Sequence, residues 1–168
     1  TLTTLALTNL ALAPRVHAQG IDEYRLKAAY LFNFASFTEW PGAAGDTLTV
    51  CIYGDDPFGP NLDAIAGKTV GTRRIRIHRA SSVDGLAECQ LVFITRAVIG
   101  NLPRLLDTLG NAPVLTVADS PGAMQRGVML NMDATQGKVT FSANLAAARR
   151  QRLNLSAKLL SLATEVNQ

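Results

Sequence analysis

Cys89-Gln-Leu-Val-Phe-Ile-Thr-Arg-Ala-Val-Ile-Gly-Asn-Leu-Pro-Arg-Leu-Leu-Asp-Thr-Leu-Gly-Asn-Ala-Pro-Val-Leu-Thr-Val117 is the stretch that decides the fold. Cys89 to Ile94 is a short, nearly unbroken apolar run, as a strand buried on both faces requires. Ile99 to Leu109 carries apolar residues at helical spacing. Pro113 to Val117 is a second strand of the buried kind. Strand, helix and strand in that order predict a parallel pair with the helix packed across it.

The same signature continues outward. Leu48-Thr-Val-Cys-Ile-Tyr53 is β-branched, apolar and bounded by glycines, which predicts another core strand. Gly54-Asp-Asp-Pro-Phe-Gly-Pro60 is a loop leading into a short helix through Leu62 and Ile65, closed by Gly67. Arg74-Ile-Arg-Ile-His78 alternates strictly, so it predicts a strand with one wet face at the sheet edge. Val128 to Met132 and Lys138 to Phe141 predict a hairpin around Gly137. Helices are expected from about Asn144 to Arg152 and from Ser156 to Val166. The fold class is therefore α/β: a three-layer sandwich with a mixed, mostly parallel sheet flanked by helices.

Before the first strand, Lys27-Ala-Ala-Tyr-Leu-Phe-Asn-Phe-Ala-Ser-Phe-Thr-Glu-Trp-Pro41 predicts an amphipathic helix stopped by its proline. Tyr30, Phe34 and Phe37 stand at i, i+4 and i+7, with Leu26 a turn earlier and Leu31 and Trp40 widening the stripe. Such a face is either core or a dock for a partner, which makes Tyr30, Phe34, Phe37 and Trp40 candidates for both.

Further upstream, Leu5 to Leu12 is largely apolar, Pro14 breaks the run, and Val16-His17-Ala18 has the small residues that a signal peptidase reads. Residues 1–18 are expected to be a signal peptide, and residues 19–168 a single exported domain. The apolar run is too short to span a bilayer and no later stretch is long enough, so no membrane insertion of the mature chain is expected. With 16 basic and 13 acidic residues the chain is nearly balanced, and Arg15 leaves with the leader. That balance gives no footprint for nucleic acid.

Chemistry-bearing motifs are scarce. Two cysteines, Cys51 and Cys89, are too few for a zinc site and too far apart for a redox C-x-x-C. In an oxidising compartment an even pair is expected to form a bridge. Gly67-Lys68-Thr69 lacks the earlier glycine of a phosphate loop, because Leu62 stands there, and it follows a helix rather than preceding one. Asp55 and Asp56 read as a turn and helix cap rather than a calcium or acid–base pair. His78 shares an alternating face with Arg74 and Arg76, where two cations oppose its protonation. With no G-x-S-x-G and one histidine after the leader, no catalytic residue, metal or cofactor is expected, and nothing in the sequence supports a hydrolase. Arg149, Arg150 and Arg152 form a cluster that is either solvated or a contact for an acidic partner or anion.

Taken in order, several of these segments resemble the YfiR family of small periplasmic proteins. They are Lys27 to Phe34 with Glu39-Trp-Pro41, Val50-Cys-Ile-Tyr-Gly-Asp-Asp-Pro-Phe58, Cys89 to Ile94, Pro113 to Val117, and Val139-Thr-Phe-Ser-Ala-Asn-Leu145 leading to Leu155-Ser-Ala-Lys-Leu-Leu160. The resemblance implies a periplasmic repressor that binds the periplasmic sensor domain of an inner-membrane diguanylate cyclase. It would thereby lower cyclic-di-GMP and biofilm formation. It also implies self-association as a homodimer, and it matches Cys51 and Cys89 to the family's first disulfide. A second bridge found in some members would need two cysteines near Met124 to Met132, and this chain has none. The competing class is a periplasmic small-molecule-binding protein, with its pocket between the Gly54 to Gly59 loop and the first helix.

Overall fold

A computed structural model describes residues 16–168. The apolar run Leu5 to Leu12 and Pro14 of the expected leader lie outside the described residues. The first helix, α1, spans Val16–Ser36, so it already includes the expected cleavage site. It is followed by β1 (Thr38–Glu39), β2 (Thr47–Tyr53), β3 (Thr69–Val70), β4 (Arg73–Ala80) and β5 (Leu91–Ile94). Then come α2 (Leu102–Leu109), β6 (Leu115–Ala118), β7 (Leu130–Thr135), β8 (Lys138–Asn144), α3 (Leu145–Arg150), β9 (Asn154–Leu155), α4 (Ala157–Leu162) and β10 (Glu165–Asn167).

Among the described residues, eight strands make the main sheet in the order β10-β8-β7-β6-β5-β2-β4-β3. β2 pairs parallel to both β4 and β5, β5 to β6, and β6 to β7. The β7–β8 hairpin and the short β3–β4 pair are antiparallel, so the sheet is mixed but mostly parallel. Every side chain of β5 and β6 is buried, as their continuous apolar sequence requires of strands covered on both faces. On one face Val50, Ile52, Phe93 and Val117 pack under Leu31 and Phe34 of α1 and Leu159 of α4. On the other face Cys51, Val92 and Ile94 pack under Leu102, Leu105 and Leu109 of α2. That is the three-layer α/β sandwich.

Two expected elements changed at their ends. Residues 96–101 form a 3-10 segment, and α2 begins only at Leu102, where Pro103 suits a first helical turn. The last helix stops at Leu162, and Glu165 to Asn167 pair with Ser142 to Asn144 as the far edge strand. Thr164 and Val166 are β-branched and poor helix formers, and the open edge of β8 gives their backbone groups a partner.

The stripe on α1 is rotated from the expected one. Ala28, Leu31, Phe34 and Ala35 are buried, whereas Leu26 is 43% exposed. Tyr30, Phe37 and Trp40 lie at the margin of the buried face. Lys27, at the i position of the Leu31 and Phe34 series, is fully buried with them.

Candidate functional site

In an open parallel sheet, ligand sites form beyond the carboxyl ends of the strands, where loops diverge to opposite faces. Here β2 ends at Tyr53, β5 at Ile94 and β6 at Ala118, and the next residues are Gly54, Thr95-Arg96 and Asp119-Ser120. Gly54 has φ +99, and a Cβ there would collide with the Thr95 hydroxyl and Val98, so only glycine lets these two strand ends close together. The chain then delivers Asp119 to the rim of the sheet, facing α1.

Asp119 is the hub. Its Oδ2 accepts from the Lys27 ammonium at 2.7 Å and from the Tyr24 hydroxyl at 2.9 Å. The Arg96 guanidinium lies 3.4 Å from the same oxygen and donates through Nε to the Asp119 carbonyl at 3.2 Å. Glu23 pairs with Lys27 one helical turn away and stands 3.7 Å from Arg96. The Lys27 ammonium also sits 4.5 Å from the centre of the Tyr24 ring. Burial, with the Asp119 carboxylate beside it, holds the Tyr24 phenol well above its ordinary pKa. It therefore donates and stays neutral. Two cations and two carboxylates thus meet in balanced charge, which is the condition for a lysine to be tolerated in a core.

Both side-chain hydrogen bonds to the Asp119 carboxylate, and the Arg96 contact, fall on one oxygen. Asp119 Oδ1 is buried with no partner, and so are the Ser120 hydroxyl and the Asn131 carbonyl oxygen Oδ1. The amide nitrogen of Asn131 is already spent on the Ser120 carbonyl at 2.9 Å. Asp119 and Asn131 line an open cleft of about 460 Å3 together with Arg96, Asp133 and Glu165. The cleft exists because α2 covers β2, β5 and β6 but leaves the polar face of the β7–β8 hairpin bare.

The residues singled out in the sequence fall elsewhere. Cys51 and Cys89 are joined, with Cα atoms 6.1 Å apart, in the core beneath α2. Phe34 is wholly buried against Tyr30 and Phe141. Tyr30 donates to the Val139 carbonyl and Trp40 to that of Gln90, each at 2.9 Å, so both have their polar ends satisfied inside the protein. Arg149, Arg150 and Arg152 are exposed at the end of α3. Arg150 borders a second hollow, of about 140 Å3, with Leu106, Leu109, Val114 and Met129. Arg74, Arg76 and His78 are exposed on β4, and Arg79 pairs with Asp56 at 2.7 Å. Asp56 caps the Phe58 and Gly59 amides.

The pocket expected between the Gly54 to Gly59 loop and α1 is filled. Phe58 occupies it, edge-on to Tyr24 at 5.2 Å and to Phe93 at 4.8 Å. Lys27, Asp119, Arg96 and Asn131 were not singled out by the sequence reading. One signal was available: a lysine in register with Leu31 and Phe34 needs a buried acid opposite it.

Fold and site together define an α/β sandwich domain with a polar cleft at the carboxyl edge of its sheet. The sequence profile of the YfiR/HmsC-like family matches residues 24–164, and the chain belongs to that family, one of periplasmic regulatory proteins. No curated protein matches it. Among solved structures, it is similar in fold to a conserved domain protein from Vibrio cholerae O1 biovar El Tor N16961. That match has a TM-score of 0.57 at 9% identity and covers 86% of this chain and 60% of the other. It is also similar in fold to an ABC domain from Streptococcus pneumoniae solved in complex with L-Trp. There the TM-score is 0.51 at 7% identity, over 71% of this chain and 55% of the other. The chain therefore spans little more than half the length of either. Among the described residues, no helix is long and apolar enough to cross a membrane.

Proposed function

We propose that this protein is a periplasmic repressor that binds the periplasmic sensor domain of an inner-membrane diguanylate cyclase and lowers cyclic-di-GMP and biofilm formation. The observation that carries the reading is the family match over residues 24–164. The hollow beneath α3 supports it, because an apolar floor rimmed by Arg150, with Arg149 and Arg152 beside it, has the anatomy of an interface. Guanidinium groups at such a rim suit carboxylates on the partner. The family resemblance also supports a homodimer, for which light scattering across a dilution series is the direct measurement.

The test is genetic and biochemical. Deleting the gene is expected to raise cyclic-di-GMP, and restoring it to lower the level again. A membrane cyclase is expected to co-purify with the wild-type protein and to be lost with Arg149→Glu/Arg150→Glu. Unchanged cyclic-di-GMP with no cyclase recovered would overturn the reading.

The buried oxygens without partners favour a second function, small-molecule binding at the cleft. The L-Trp complex of the Streptococcus pneumoniae domain supports it only through the shared fold. The two functions are compatible, since a ligand that prefers one conformation shifts the population available to a partner.

A further inference from the structure

We propose that the cleft beyond β6 and β7 binds a small aliphatic amine with at least two ammonium groups, a di- or polyamine. This assignment rests on the small-molecule reading above and names its ligand class.

The floor of the cleft lacks hydrogen-bond donors. Asp119 is 3% exposed, and both hydrogen bonds to its carboxylate, with the Arg96 ion pair, fall on Oδ2. Its Oδ1 and the Asn131 Oδ1 are buried acceptors with no donor. An ionised carboxylate has roughly four acceptor positions, and leaving a buried oxygen without a donor is unfavourable. A ligand that brings N–H groups removes that cost. One that brings only acceptors does not.

The charge of the lining favours a cation. Lys27 and Glu23 cancel, and Arg96 is held by Asp119 and Glu23. Asp133 and Glu165, exposed residues of the same lining, make no ion pair among the described residues. The cleft therefore presents surplus negative charge to an occupant. The volume of about 460 Å3 lies within the range of about 300–1,000 Å3 usual for small-molecule sites. No group of three or more metal-ligating side chains is gathered among the described residues, which favours an organic cation over a metal ion. One ammonium would sit at the Asp119 and Asn131 floor and the other at Asp133 and Glu165. Two separated cationic ends joined by methylenes meet both demands.

The experiment is calorimetric titration of the folded protein with putrescine and with spermidine at about 0.1 M salt, where long-range attraction is screened. Magnesium at matched ionic strength and L-tryptophan serve as comparison ligands. Saturable binding of an amine, with a raised melting temperature, is expected. Asp133→Asn/Glu165→Gln, two exposed changes that leave the core intact, should weaken it about tenfold or more. Equal stabilisation by magnesium, or undiminished amine binding by the double variant, overturns the assignment. Binding of L-tryptophan without either amine overturns the amine assignment and leaves the small-molecule reading standing. Silence from all four ligands overturns both.

Discussion

Lys27 and Asp119, 92 residues apart in the chain, meet at 2.7 Å with their side chains 0% and 1% exposed. This pair ties the first helix to the carboxyl edge of the sheet, where Asp119 lines the cleft. Removing one member leaves the other as a buried charge held only by Glu23, for Lys27, or by Arg96 at 3.4 Å and the Tyr24 hydroxyl, for Asp119. Lys27→Met is expected to cost about 3–5 kcal/mol. Lys27→Met/Asp119→Leu should lose less than the sum of its single changes, because the lone charge is gone. Urea denaturation of the four proteins checks both statements.

The Cys51–Cys89 bridge spans 38 residues, and both cysteines are buried. On the chain-entropy account, closing a loop of that length stabilises the fold by about 4 kcal/mol. Dithiothreitol alone is expected to leave the bond intact, and dithiothreitol with denaturing urea to open it. Thiol trapping in the two conditions measures this, and Cys51→Ala/Cys89→Ala should unfold at markedly lower urea.

Phe34 is wholly buried, with its ring 5.0 Å from that of Phe141. Phe34→Ala is expected to cost about 3–5 kcal/mol, the range for large aromatics in a core. Phe37 lies at the margin of the same face, with the Lys158 ammonium 5.4 Å over its ring. Phe37→Ala should cost roughly half as much, in proportion to the apolar area it hides. Chemical denaturation of each variant gives the comparison.

Tyr24 sets an alkaline limit. Its folded pKa is raised by burial and by Asp119, while in the unfolded chain it titrates near 10. Above about pH 10 the unfolded state releases the proton and the folded state keeps it, so stability falls as pH rises. Below that pH both states hold the proton and the term is flat. Thermal melts from neutral pH upward should show a steeper alkaline decline for the wild type than for Tyr24→Phe.

The sheet was legible because its signals are local. Leu48 to Tyr53, Cys89 to Ile94 and Pro113 to Val117 are apolar runs of strand length with turn residues between them, and all contribute core strands. The hairpin around Gly137 was legible for the same reason, since Gly137 takes φ +75 at a turn that Gln136 also enters at positive φ. The final strand was not. Glu165 to Asn167 form it only because β8 offers a free edge, and that edge is set by residues far upstream.

By itself, the sequence determined the α/β class, the order of the core strands along the chain, the cysteine pair and the family. Each depends on side-chain periodicity, composition or local turn chemistry, which neighbouring residues carry. Only the tertiary structure decided which face of α1 is buried, that Lys27 lies on it, and that Phe58 fills the expected pocket. It also decided that Asp119 and Asn131 share a cleft. Those facts depend on where strand ends and helix faces meet across separations such as the 109 residues between Tyr30 and Val139. Electrostatic pairing and shape act through space, and nothing in the local pattern of either segment encodes the distance between them.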